Sequence, residues 1–206
     1  LDQYGRVTIR NIYYDTETFR LIRRSLERPC YKEKLRVRSY RQVSPEEPVF
    51  VELKKKYKSV VYKRRLSLPE GLVSQRLGQD TPLPVSSQIG HEIAYFRSYY
   101  HPLIPTVFLS YQREAFYAVD GGDFRVTFDD HILYRQYQLS LCSEVYGTPI
   151  LSPDQTLMEI KTSGGIPLWM VHALTQHNIF KTSFSKYGTA YQHMTKQQQL
   201  GGLRYA

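Results

Sequence analysis

Cysteine is nearly absent: Cys30 and Cys142 are the only two in 206 residues. Their spacing matches no metal or redox motif, so they read as free thiols in a reducing compartment. Long apolar runs are lacking as well. No stretch approaches the roughly 20 residues that cross a bilayer as a helix, and no secretory leader opens the chain. Neither GxxxxGK[ST] nor GxGxxG occurs, which excludes the common glycine-rich phosphate cradles. The six histidines show no ligand spacing. An initiator methionine is missing too, and the chain opens almost directly on a strand-like segment. It reads as a piece whose N-terminal element is absent.

What is abundant is positive charge, and it is local. The composition, 41% hydrophobic and 23% charged, is that of an ordinary globular protein. The net charge is +9, yet residues 1–65 hold 18 Lys+Arg against 8 Asp+Glu, a net of +10. The remaining residues hold 10 against 11, a net of −1. A confined excess of this kind predicts a site for an anion more than a generally cationic surface.

The excess is also patterned. In YKEKLRVRSY (31–40), Lys32, Lys34, Arg36 and Arg38 occupy every second position. A strand sends alternate side chains to opposite faces, so these four share one face and Leu35 and Val37 take the other. Glu52, Lys54 and Lys56 alternate in the same way, and Lys63 and Arg65 share a parity that Arg64 does not. Strands are further expected over 5–13, 106–116, 123–133 and 156–164, seven in all. Gly121–Gly122 marks a hairpin. Helices are expected over 16–28 with Thr16 as cap, over 87–101 up to Pro102, after Pro167, and over 184–200, fraying at Gly201. In the helix after Pro167, Leu168, Val171 and Leu174 are expected inside. Residues 69–86 read as a loop with a short helical piece.

Antiparallel strands in this number can close into a barrel. The expected fold is therefore α+β, one domain over 1–206, an antiparallel barrel with flanking helices. Its apolar residues would face outward under the helices and its charges inward. Bare charges in a dry interior cost several kcal/mol each, so the interior must hold water, counter-charges or an anion. Lys32, Lys34, Arg36, Arg38, Lys54, Lys56, Lys63, Arg113 and Arg125 could converge there. Glu52 and Glu159 share parity with lysines. A carboxylate among cations fits a ligand for Mg²⁺ or Mn²⁺, which bind through one or two carboxylates plus substrate phosphates. Nucleic acid is a weaker fit, because Tyr40 is the one aromatic on the cationic parity around Arg36, and base stacking needs aromatics there. Tyr111 and Tyr13 read as packing residues.

YYDT (13–16), KLRVRSY (34–40), VELKKK (51–56), YKRR (62–65), YQREAF (111–116), FRVTFD (124–129), LMEIK (157–161) and SFSKY (183–187) occur in one order. In that order they resemble the VTC domain, the polyphosphate polymerase domain of the vacuolar transporter chaperone, within the triphosphate tunnel (CYTH-like) metalloenzymes. The resemblance implies a tunnel barrel in which the γ-phosphate of ATP passes to a polyphosphate chain with Mn²⁺ or Mg²⁺. Arg36, Arg38, Lys54, Lys63, Arg113, Arg125 and Lys186 would act on the phosphates. Lys34, Tyr111, Lys161 and Ser185 would bind substrate, and Glu159 would hold the metal. The implied partners are ATP, polyphosphate and pyrophosphate. Hydrolysis of triphosphate and binding without turnover are the alternatives. The family's opening strand precedes Leu1 and is not in this sequence. Transmembrane and inositol-phosphate-sensing segments are not in it either, which points to a stand-alone bacterial version. Its expected place is the cytoplasm, at the inner face of a membrane through a partner protein.

Overall fold

Period-two alternation marks the strands of this chain, and the computed structural model turns them into a curled sheet. Residues 1–58, 60–119 and 121–202 are described. Eight strands and five helices form. They are β1 (Val7–Asp15), α1 (Arg20–Leu26), β2 (Tyr31–Ser39), β3 (Pro48–Tyr57), β4 (Val60–Pro69), α2 (Glu70–Gly78) and α3 (Gln88–Tyr99). Then follow β5 (Ile104–Tyr117), β6 (Arg125–Arg135), β7 (Thr148–Pro149), β8 (Leu157–Lys161), α4 (Leu168–Gln176) and α5 (Lys186–Gly202). The strand order is β4-β3-β2-β1-β5-β6-β7, with β8 also on β6, and every pairing is antiparallel.

The sheet is not a closed barrel, and it has one strand more than the sequence suggested: β7 is only Thr148–Pro149, too short to leave a periodic signal. Among the described residues β4 is a free edge, and no ladder joins it to β7 or β8. Lys63, Arg64 and Pro69 on that edge disfavour pairing with another chain. The sheet nevertheless curls. Lys54 on β3 lies close enough to Glu159 and Lys161 on β8 for their charges to act on it, although four strands, β2, β1, β5 and β6, lie between β3 and β8 in pairing order.

Two apolar clusters flank the sheet. Leu35, Val37, Val51 and Leu53 on the convex face pack against Val73 and Leu77 of α2 and Ile93 and Phe96 of α3. This is the expected arrangement, outward apolar residues covered by helices. The second cluster corrects the expectation for the interior. Ile9, Val107, Leu109 and Tyr134 are buried with Ile22 of α1 and Tyr187, Ala190 and Met194 of α5. Part of the concave face is therefore an oily seat for α1 and α5, and the rest is charged.

The first helix begins later than expected. Thr16 Oγ1 accepts from the Arg20 amide at 3.0 Å, but Asp15 does most of the capping. Its carboxylate accepts from the amides of Thr16, Leu21 and Ile22 and from the Tyr187 hydroxyl. Ser87 caps α3 through the Gly90 amide at 3.1 Å. Helix α4 departs from expectation: none of its residues is buried, and Leu168, Trp169 and Val171 are exposed. Its Trp169 makes an edge contact with Phe124, in the connection just before β6. No helix among the described residues is long and apolar enough to cross a membrane.

Candidate functional site

Residues opposite one another on antiparallel strands share a face, so the ladders fix the channel wall residue by residue. Lys32 faces Lys56, Lys34 faces Lys54, and Arg36 faces Glu52. Across the next ladder Lys54 faces Lys63 and Glu52 faces Arg65. On the other side Arg36 faces Tyr13 and Arg38 faces Asn11. Arg113 faces Asp129, and Arg125 faces Lys161. The alternation read from the sequence thus lands on one face. Arg64, of the other parity, points to the convex side and binds Glu92 of α3 together with Lys55.

Two carboxylate hubs organise the wall. Glu52, 1% exposed, receives Arg36 at 2.7 Å, Lys63 at 2.8 Å and Arg65 at 2.5 Å, with Arg38 at 4.0 Å. Burial pushes its carboxyl up, but Arg36, Arg38 and Lys63 outweigh that and bring it down to about 2. Both of its oxygens are engaged by cations, Arg36 on one and Lys63 and Arg65 on the other. The second hub pairs Asp129 with Arg113 through two 2.6 Å bonds and with Lys186 at 2.5 Å. Lys186 also meets Glu159 at 3.0 Å. Arg113 and Lys161 stand 3.7 and 3.9 Å from the other Glu159 oxygen.

Between the hubs lie aromatic hydroxyls and uncompensated cations. Tyr13 accepts from Arg36 at 3.2 Å, and Tyr111 accepts from Arg38 at 3.0 Å. Arg38 also donates to Asn11 at 2.8 Å. Lys34 donates to Ser185 at 3.1 Å, and Lys186 lies over the Tyr111 ring. Ser185 and Lys186, at the start of α5, thus reach the β2 wall on one side and the β6–β8 wall on the other. They join by side chains what no ladder joins. Burial depresses Lys34 to about 8, with Lys32, Lys54 and Arg36 adding to the effect against Tyr13. Burial pushes the Tyr13 phenol up, but Arg36, Lys34 and Arg38 together bring it down to about 8. Lys54 is lowered by burial and by Arg36. Arg125 lies over the Tyr117 ring, and its buried Nε has no partner, nor has the Thr127 hydroxyl beside it.

All the residues singled out from the sequence therefore line this channel or its rim: Arg36, Arg38, Lys54, Lys63, Arg113, Arg125, Lys186, Lys34, Tyr111, Lys161, Ser185, Glu159 and Glu52. Sequence reasoning missed Asp129, Asn11 and the channel-facing Tyr13, and left out Arg65. Asp129 lies upstream of the β-bulge at His131–Ile132 and shares the parity of Arg125 and Thr127 on β6, so alternation counted from Arg125 is the signal that could have found it. Among the described residues no three acidic, histidine or cysteine side chains gather as a metal site.

No curated protein sequence matches the chain. Among solved structures, a provisionally named adenylate cyclase of Bacillus halodurans aligns with a TM-score of 0.54 at 16% identity, covering 90% of this chain and 82% of that one. At this identity the likeness concerns the fold. The family model of the VTC domain matches residues 2–195. With nearly the whole length matched and the motif residues gathered on one channel face, this chain belongs to the VTC domain family.

Proposed function

We propose that the channel binds the triphosphate of a nucleotide, or linked phosphates, and passes the γ-phosphate of ATP to a polyphosphate chain. The observation that carries this reading is the imbalance between the walls and their counter-ions. Glu52 and Asp129 neutralise part of the charge, while Lys34, Lys54 and Arg125 have no carboxylate partner among the described residues. Such a wall is stabilised by an anion of high charge density. Arg36, Arg38 and Arg113 supply forked donors held in place by Glu52, Asn11 and Asp129. Lys34, Lys54 and Lys63 add point charges. Phosphoryl transfer asks chiefly for positioning and charge neutralisation, and a rigid cationic wall provides both.

A divalent ion, Mg²⁺ or Mn²⁺, fits at Glu159 better than at Glu52. One Glu159 oxygen is met by cations only at 3.7 and 3.9 Å, so it could take a metal whose other ligands are phosphate oxygens and water. When bound, the ion would neutralise charge building on the phosphate oxygens. Arg113 and Lys186 hold Glu159 and Asp129 in place for that role.

Incubating the protein with ATP and Mn²⁺ and resolving phosphate-chain products by gel tests this reading. Chains should form, and Glu159→Gln should abolish them while nucleotide still binds. The scarcity of free carboxylates favours a second reading, a polyphosphate-binding module without turnover. Tight binding of tripolyphosphate, no products, and no effect of Glu159→Gln would select it. Release of orthophosphate alone would indicate a triphosphatase.

A further inference from the structure

Helix α1 carries a second concentration of charge outside the channel. Arg20, Arg23 and Arg24 line an open depression with Glu27, and Arg28 follows directly. Leu21 belongs to the convex cluster and Ile22 to the concave one, so α1 straddles the rim where β1 ends and β2 begins. That rim is also a channel mouth, because Lys32 and Lys56 face each other there. Lys32 reaches back to the Ser25 carbonyl of α1 at 3.4 Å. Its ammonium is depressed by burial and then by Lys56 and Arg28, so the two groups of cations feel each other.

None of Arg20, Arg23, Arg24, Arg28, Lys32 and Lys56 stands within ion-pair distance of a carboxylate among the described residues. Glu33, on the convex face of β2, is occupied by the hydroxyls of Tyr31 and Tyr100. Inside the channel, by contrast, Glu52 and Asp129 engage Arg36, Lys63, Arg65, Arg113 and Lys186. An unpaired run leading away from an anion channel extends the same recognition along the surface. A triphosphate bound wholly within the channel would gain nothing from it. A longer linear polyanion gains at every contact.

We propose that the arginine face of α1 is a surface track for a linear chain of linked phosphates that leaves the channel past Lys32 and Lys56. This rests on the reading of the channel as a phosphate site and makes its ligand polymeric. The test compares tripolyphosphate with a long-chain polyphosphate by calorimetry over a salt series. It uses the native chain and the variant Arg23→Gln/Arg24→Gln/Arg28→Gln. These are exposed side chains, and thermal melting checks the fold; single Arg23→Gln serves if the triple variant melts early.

The native chain should bind the long polymer more tightly than tripolyphosphate. The triple variant should bind tripolyphosphate unchanged but the long polymer about tenfold more weakly, with a salt slope shallower by about two, as expected when two to three phosphate contacts are lost. Equal affinity of native and variant chains for the long polymer overturns the track, as does an equal loss for both ligands. Failure of the native chain to bind tripolyphosphate overturns the channel reading itself.

Discussion

Glu52 shows what one side chain does here. It is a buried carboxylate surrounded by Arg36, Lys63, Arg65 and, farther off, Arg38. Removing one partner from such a cluster leaves uncompensated charge, which costs about 3–5 kcal/mol. Glu52→Gln should therefore lower stability by about 3 kcal/mol in urea unfolding. Added tripolyphosphate should restore more of it in the variant than in the native chain, since an anion can replace the missing carboxylate. Lys34 and Tyr13 are the pH-sensitive pair, both brought to about 8. Their ordinary values are 10.5 and 10.0, so between pH 8 and 10 the unfolded chain binds more protons and stability rises with pH. Anion affinity moves the other way. Above pH 8 Lys34 loses its charge and Tyr13 gains a negative one, so calorimetric titrations with tripolyphosphate should weaken from pH 7 to 9. Lys34→Met should flatten the profile.

At the scale of elements, Asp15 decides where α1 starts and ties it to α5. Local rules pointed to Thr16, a good capping residue just ahead of an apolar stripe. The carboxylate one residue earlier prevails because it accepts two helix amides and the Tyr187 hydroxyl at once. Asp15→Ala should cost about 2 kcal/mol, the sum of a lost cap and newly unsatisfied buried donors. Hydrogen exchange should show α1 and α5 loosening together while α3, capped separately by Ser87, stays protected. The helix after Pro167 was legible from the proline and the apolar spacing. Its environment was not: spacing marks a face that could be buried, and nothing local says whether a partner surface arrives. The three cationic strands were legible because period-two alternation is a property of the backbone itself. β7 and the bulge at His131 were not, since a two-residue strand has no period and a bulge leaves the composition unchanged.

The whole molecule is an open, curled sheet with a charged half-channel and an oily seat for α1 and α5. An electrostatic ligand contact falls off with salt, because released counter-ions become less favourable to release. Tripolyphosphate affinity should accordingly drop by about tenfold or more between roughly 50 and 200 mM salt. An affinity indifferent to salt would argue against recognition by the wall.

The amino-acid order alone determined that positive side chains share one face of three adjoining strands. Alternation places them there whatever the strands later pack against. It also determined the helices and hairpins that make an antiparallel α+β fold. Only the tertiary structure decided which charges are answered. Glu52, Asp129 and Glu159 meet their cations across ladders and across the curl, and α1's arginines meet no carboxylate among the described residues. Those pairings depend on register and curvature between residues far apart in the chain, and no local pattern encodes them.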